Sequence, residues 1–200
     1  MSSKDSPTRI RILDTTRRLM EQKGGEGVRM SDIARAAGVS RQAIYLHFDT
    51  RAALLVATTR HMDAALGVQA RLKPSRTAKS GAERIRAFIA FWGGYVPEIH
   101  PVARALMAVQ DSDEAAAEAW ANRMQAVREG CQAAIEALER DGRLAPGWTV
   151  QTATDLFWAM LSVRVWEQLT KDCGWSEADY ITRMQAQALA TFSTGEPAQI

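Results

Sequence analysis

The sequence predicts an all-α fold, with a three-helix head joined by one bridging helix to a body of five more. Proline and glycine fall at segment boundaries, and no stretch alternates apolar and polar residues as a half-buried strand would. Ala, Leu, Arg, Glu, Gln and Met dominate between the boundaries. The net charge of +2 hides an asymmetry: residues 1–60 hold 11 Lys and Arg against 6 Asp and Glu, and residues 61–200 hold 14 against 17. A basic segment on an acidic remainder suits a head that meets a polyanion. With 46% hydrophobic residues in 200, the chain can fill a core in a large body as well as a small head.

The elements follow in order. The first helix should run from about Thr8 to Lys23, with Ile10, Leu13, Leu19 and Met20 inward and Gly24-Gly25 ending it. A short helix over Ser31–Ala37, a turn at Gly38-Val39 and a helix after Ser40 complete the head, residues 1–50. The bridging helix starts after Asp49-Thr50 and spans 51–73. The body, residues 74–200, opens on a polar connector, Pro74 to Ser80, and Ser80 with Glu83 has the spacing of a capping box.

A helix carrying Ile85, Phe88, Ile89, Phe91 and Trp92 should stop at Gly93-Gly94 and Pro97, with Pro101 in the first turn of the next. Asp111 or Ser112 opens a long helix to Arg140, closed by Asp141-Gly142. Two more follow, Thr149–Lys171 and Ser176–Phe192, the latter begun by Ser176 with Asp179 in its first turn. The total is about nine helices, with no internal repeat.

Several classes are disfavoured. No apolar run approaches the ~20 residues of a membrane span, and the first residues lack a signal peptide's apolar stretch, so the expectation is a cytoplasmic protein without membrane partners. Cys131 and Cys173 sit in no CxxC pair and near no histidine at ligand spacing, so neither a disulfide framework nor a zinc site is expected, and no metal or cofactor is assigned. There is no P-loop, dinucleotide fingerprint, HExxH or Gly-x-Ser-x-Gly. The acidic group Asp111, Asp113 and Glu114 sits where a helix begins and suits its N-terminus, so no catalytic residue is assigned.

The segment Arg29 to Phe48 carries the main chemistry. Two short helices about Gly38-Val39 fit a helix-turn-helix: Gly38 can take the positive φ of the turn, and Val39 fills the space beneath it. Ile33 and Ile44 face each other, Ala34 and Ala37 allow close approach, and Ser40 caps the second helix. Its first exposed residues, Arg41, Gln42 and Ala43, would enter the major groove. Arg pairs with guanine and Gln with adenine, each worth roughly 1–3 kcal/mol of discrimination, and Ala43 can touch a thymine methyl. Arg51, near a helix N-terminus, suits a phosphate because dipole and side chain both favour an anion. Ser31, Arg35 and Thr50 are weaker phosphate candidates.

The run Ile33-Ala34, Ala37-Gly38-Val39-Ser40, Ile44-Tyr45, His47-Phe48, Arg51 and Leu54 resembles the TetR family's pattern without a gap, over roughly residues 8–60. Arg29 departs from the small hydroxyl residue usual at the start of the second helix, and Arg51 replaces the commoner lysine. As residues alone, Tyr45 could pack and His47 could be a core or capping histidine. The resemblance implies that both contact the DNA backbone, and it implies a homodimeric regulator of double-stranded DNA.

The helix Thr149–Lys171 carries apolar residues around most of its circumference, including Leu156, Phe157, Trp158, Met160, Val165 and Leu169. One side can meet the body core and the other needs a partner. The resemblance implies that helices 149–171 and 176–192 of two chains form the dimer interface. Phe88, Phe91, Trp92, Met107, Trp120, Met124, Phe157 and Trp158 lie on helices that could surround a cavity for a small apolar or aromatic effector. His100, Gln110 and Arg164 could anchor its polar groups. Plain core is the alternative for each of these aromatic and methionine residues. For the whole chain the alternatives are a helical enzyme and a DNA-binding dimer without effector.

Overall fold

The structure, a computed structural model, describes residues 6–23 and 27–195. Among the described residues there are helices, turns and a single antiparallel bridge between Leu144 and Ser193. The chain groups into two compact units, one drawn from 1–68 and 99–124, the other from 69–98 and 125–200. No helix among the described residues is long and apolar enough to cross a membrane.

The first unit contains α1 (Pro7–Lys23), α2 (Met30–Ala37), α3 (Arg41–Tyr45) and α4 (Arg51–Ala65). Helix α1 packs on α2 and α4. Its inward stripe is Ile12, Leu13, Thr16 and Met20, with the Thr16 hydroxyl donating to the Ile12 carbonyl at 2.8 Å. Ile10 was expected inward but is exposed, because that stripe follows the helical period from Ile12 and leaves Ile10 off it. Gly24-Gly25, the expected end of α1, lies outside the described residues.

Helix α2 buries Met30, Ile33, Ala34 and Ala37. Gly38 ends it at φ 64°, ψ 39°, a conformation open to glycine without a Cβ penalty, and the Val39 N–H then closes onto the Ala34 carbonyl at 3.0 Å. Ile33 and Ile44 are both fully buried, while Val39 is only half-buried. Thr50 caps α4, accepting from the Ala53 N–H at 3.0 Å. The helix stops at Ala65 rather than near Lys73, because Gly67 at φ 64° turns the chain. Two single turns, α5 (Val68–Arg71) and α6 (Lys73–Arg76), replace the rest of the bridging helix and part of the connector.

The expected break at Gly93-Gly94 and Pro97 is absent: α7 runs unbroken from Gly81 to Val109, past Pro101. Each proline removes a helical N–H and crowds the carbonyl four residues back, so the helix must gain elsewhere. Its buried stripe, including Ile85, Ile89, Trp92, Val96, Ile99 and Leu106, provides that gain. Arg71 helps by donating to the Gly94 carbonyl at 2.8 Å and pairing with Glu98 at 2.6 Å. Gly93 serves packing instead of a break, since a Cβ there would lie 2.4 Å from Ile181 Cγ1.

Helix α8 spans Glu114–Arg140. Asp113, rather than Asp111 or Ser112, caps it, accepting from the Ala116 N–H at 3.2 Å. Ser80 accepts from the Glu83 N–H at 3.2 Å, but Glu83 returns its bond to the Lys79 N–H at 2.9 Å.

In the second unit the expected helix 149–171 is divided. Helix α9 (Val150–Met160) stops at Leu161, and Ser162, extended at φ −64°, ψ 148°, caps α10 (Val163–Glu167), which passes into a π-turn over Gln168–Asp172. Serine readily offers its hydroxyl to a nearby N–H, here Val165 at 3.2 Å, in place of a continued helix. Helix α11 (Glu177–Phe192) begins as expected at Ser176, whose hydroxyl accepts from the Asp179 N–H at 3.0 Å. Its Tyr180, Met184, Ala188 and Phe192 form one buried stripe at four-residue spacing.

Candidate nucleic-acid interface

Helix α3 has only five residues and depends on its ends. The Ser40 hydroxyl accepts from the Ala43 N–H at 3.0 Å, and Ile44 and Phe48 anchor the far end in the core. Over the Phe48 ring the Arg9 guanidinium lies 4.8 Å from the centroid. Arg41 and Gln42 are left exposed and Ala43 half-buried. Tyr45 is 44% exposed and Leu46 86% exposed. His47 is half-buried, its ring 6.4 Å from that of Phe48 and tilted by 56°. Leu46 is absent from the sequence-derived set because a leucine inside an Ile-Tyr-Leu-His-Phe run carries no signal of exposure.

The flanking candidates differ in how far they are committed elsewhere. Ser31 and Thr50 are exposed, Thr50 already serving as the α4 cap. Arg35 is exposed and lies 3.7 Å from Asp32. Asp32 also accepts from Lys23 at 2.8 Å, the bond that chiefly holds its carboxyl below the usual range. Arg51 is engaged within the unit: its Nε donates to the Val28 carbonyl at 2.8 Å, and its Nη1 to both Asp113 oxygens at 2.5 and 2.7 Å. The guanidinium hydrogen bond is the main cause that depresses the Asp113 pKa, with the Ala116 N–H adding to it. Arg123 and Asp63 form a second α4–α8 ion pair in the same unit. Beside Arg51 opens a groove of about 440 Å³ lined by Gly27, Val28, Arg29, Met30, Ser31, Arg41, Arg51 and Asp113.

Residues 12–58, which span most of α1 through the first half of α4, match the family model for bacterial regulatory proteins of the tetR family. A Rhodococcus protein assigned to TetR-family transcriptional regulators shares the fold at a TM-score of 0.71 and 22% identity, covering 93% of this chain and 98% of that one. The chain carries the tetR-family segment over residues 12–58 and shares the fold of that regulator. FadR from Bacillus subtilis in complex with stearoyl-CoA has the same fold at 0.69 and 15% identity, over 94% and 99% of the two chains. A Saccharomonospora viridis transcriptional regulator in complex with choline matches at 0.70 and 17%, over 94% and 98%. An uncharacterized HTH-type transcriptional regulator of Mycobacterium tuberculosis is 40% identical over 63 residues, which is 32% of this chain. The chain thus spans only about a third (31%) of the length of the curated relatives it matches.

The expected effector-pocket residues divide between the units. Phe88, Trp92 and Phe157 are buried in the second unit, with Trp158 half-buried. Phe88 and Phe157 meet edge to face at 6.3 Å, and Phe157 meets Phe192 at 5.9 Å. Arg164 lies on the surface of the same unit, 3.5 Å from Glu167. In the first unit Met107 is buried, Trp120, Met124 and His100 are half-buried, and Gln110 donates to the Met107 carbonyl at 3.4 Å.

Polar atoms lie deep in the second unit. Trp92 Nε1, Thr154 Oγ1 and the Tyr180 hydroxyl are buried without a hydrogen bond of good geometry. Burial raises the Tyr180 pKa, against a smaller opposite pull from the nearby Trp92 N–H, which favours the phenolate. Tyr180 and Thr154 were not among the sequence-derived candidates, because their apolar neighbours mark both as ordinary core. Burial likewise raises the Cys131 pKa, which leaves that thiol protonated and unreactive. Among the described residues no group of His, Cys, Asp and Glu could hold a metal ion.

Proposed function

We propose that this chain is a TetR-family transcriptional repressor that binds a near-palindromic operator as a homodimer and is released by a small, largely apolar effector. The observation that carries the DNA-binding part is α3: a short helix capped by Ser40, fixed by buried Ile44, with Arg41 and Gln42 exposed at its start. That end of the helix is the one that reads base edges in a helix-turn-helix. Arg41, Gln42 and Ala43 read bases, while Tyr45, His47, Ser31, Arg35 and Thr50 meet the backbone. Two heads roughly 34–36 Å apart would span one turn of DNA.

Dimerisation uses α9–α10 and α11. Leu156 is exposed, and Met160, Val165, Leu169, Ile181 and Leu189 remain only half-buried within one chain, an apolar surface that a second copy would cover. The effector reading draws on the aromatic interior of the second unit and on the two relatives of the same fold that hold ligands, stearoyl-CoA in one and choline in the other. Effector binding would lower operator affinity about 5–150-fold, for a coupling of roughly 1–3 kcal/mol.

Footprinting the purified protein on DNA flanking its own gene, over a salt series, tests the reading. A protected near-palindrome whose affinity falls steeply with salt is the expected result. Absence of protection there, followed by absence of enrichment from random sequences, would refute it. An acyl-CoA and a quaternary amine are the first effector probes, each scored by release of that DNA.

A further inference from the structure

Arg51 lies beside α3, opens on the groove shared with Arg29, Ser31 and Arg41, and has the charge to hold a phosphate. Yet its charge is already met. Nη1 faces both oxygens of Asp113, at 2.5 and 2.7 Å, and Nε is turned to the Val28 carbonyl. A carboxylate and a phosphate present the same kind of paired anionic oxygens to a guanidinium, and each makes a charge-assisted bond of similar geometry. Asp113 is the only acidic residue among those lining this groove, against three arginines. The pair is neither sealed in the core nor a loose surface contact, with the two side chains 23% and 21% exposed. It can therefore be reached and exchanged from the groove.

We infer that Asp113 is an intramolecular stand-in for a DNA phosphate, occupying Arg51 and so weakening backbone binding by the head. This rests on the DNA-binding reading above and adds to it a residue 62 positions from Arg51 in sequence, outside the helix-turn-helix. Two consequences follow from the charges. While the pair is closed, Arg51 contributes little to attraction for DNA, because its field is cancelled at close range. When a phosphate displaces the carboxylate, Asp113 is left unpaired beside a polyanion, which opposes the exchange. Asp113 also caps α8, so the position of that helix's first turn sets how firmly Arg51 is withheld.

The test is binding of the full chain to a duplex of random sequence, and to its selected operator, over a salt series. The D113N variant keeps a side-chain oxygen for the Ala116 N–H, and its melting curve reports whether the fold is retained. It should bind several-fold more tightly at low salt, with the slope of log K against log salt steeper by about 0.9 for one added phosphate contact. That added slope makes its advantage shrink about 3.5-fold between 50 and 200 mM salt. D111N and E114Q, which remove exposed charges from the same stretch, should leave the slope unchanged. In an R51Q background the gain from D113N should disappear.

An equal or lower affinity for D113N with its fold retained would overturn the inference and make Asp113 a structural clasp only. So would the same gain in D111N, or its persistence without Arg51. Failure of the wild-type chain to bind either duplex would overturn both this inference and the DNA-binding reading, whereas a bound wild type with an unresponsive D113N overturns only this one.

Discussion

The two compact units place their polar chemistry on opposite sides of their surfaces. In the first, the side chains suited to recognition point outward, with Arg41, Gln42 and Tyr45 exposed, while Ile33, Ile44 and Phe48 are buried and the buried Thr16, Thr58 and Thr59 hydroxyls donate to backbone carbonyls. In the second, polar atoms of Trp92, Thr154 and Tyr180 are enclosed among aromatic rings. Recognition and stability are therefore separable in the first unit, because different atoms serve each. In the second they share the same side chains, so any ligand-responsive role is tied to the packing that holds the unit together.

Mutations can break or sharpen that contrast. The largest effect is expected from Phe157→Ala, which removes a fully buried ring touching Phe88 and Phe192. It should cost about 3–5 kcal/mol, read as a lower denaturation midpoint. A loss below about 1 kcal/mol, the scale of a mild core change, would mean that the second unit is loosely packed and the contrast overdrawn. Next come Arg41→Ala and Gln42→Ala, each expected to weaken operator binding by roughly 1–3 kcal/mol. Melting temperature should stay put in both, since neither side chain is buried. A large stability loss would show that α3 is not the independent reading element described.

A smaller effect of opposite sign is expected from Tyr180→Phe. It deletes a buried hydroxyl that has no well-formed hydrogen bond, so stability should be unchanged or rise by up to about 1–3 kcal/mol. Denaturant unfolding of the two proteins checks this, and a clear loss would reveal a partner for the hydroxyl. The smallest effect concerns the Arg51–Asp113 pair. Asp113 has a folded-state pKa below its ordinary 3.8, so its contribution to stability is complete above that value and is lost as pH falls through the lower, folded one. The stability difference between wild type and D113N should therefore be constant near neutrality and vanish in acid, as thermal melts across pH would show.

Legibility in the sequence follows the range of the interactions. Gly38, Ser40, Thr50 and Ser176 act on residues three or four positions away, and the structure uses all four as turn or cap. Elements ruled by distant contacts are less legible. Local rules end a helix at Gly93-Gly94 and Pro97, yet α7 continues because burial along its length and Arg71 outweigh the missing bonds. A continuous apolar run hid the break at Ser162, where a single hydroxyl restarts the helix. Exposed Arg41 and Gln42 follow from the motif alone. The commitment of Arg51 to Asp113 does not, because nothing local joins residues so far apart in the chain. The acidic group at 111–114 was visible as a helix start, but its other partner was not.

Affinity selection of random-sequence DNA by the full chain, run beside the double variant R41A/Q42A, tests the central claim most directly. The account predicts a near-palindromic sequence enriched by the wild type and lost or relaxed in the variant, with equal melting temperatures for the two proteins. No enrichment by the wild type, or the same sequence enriched equally by both, would contradict it.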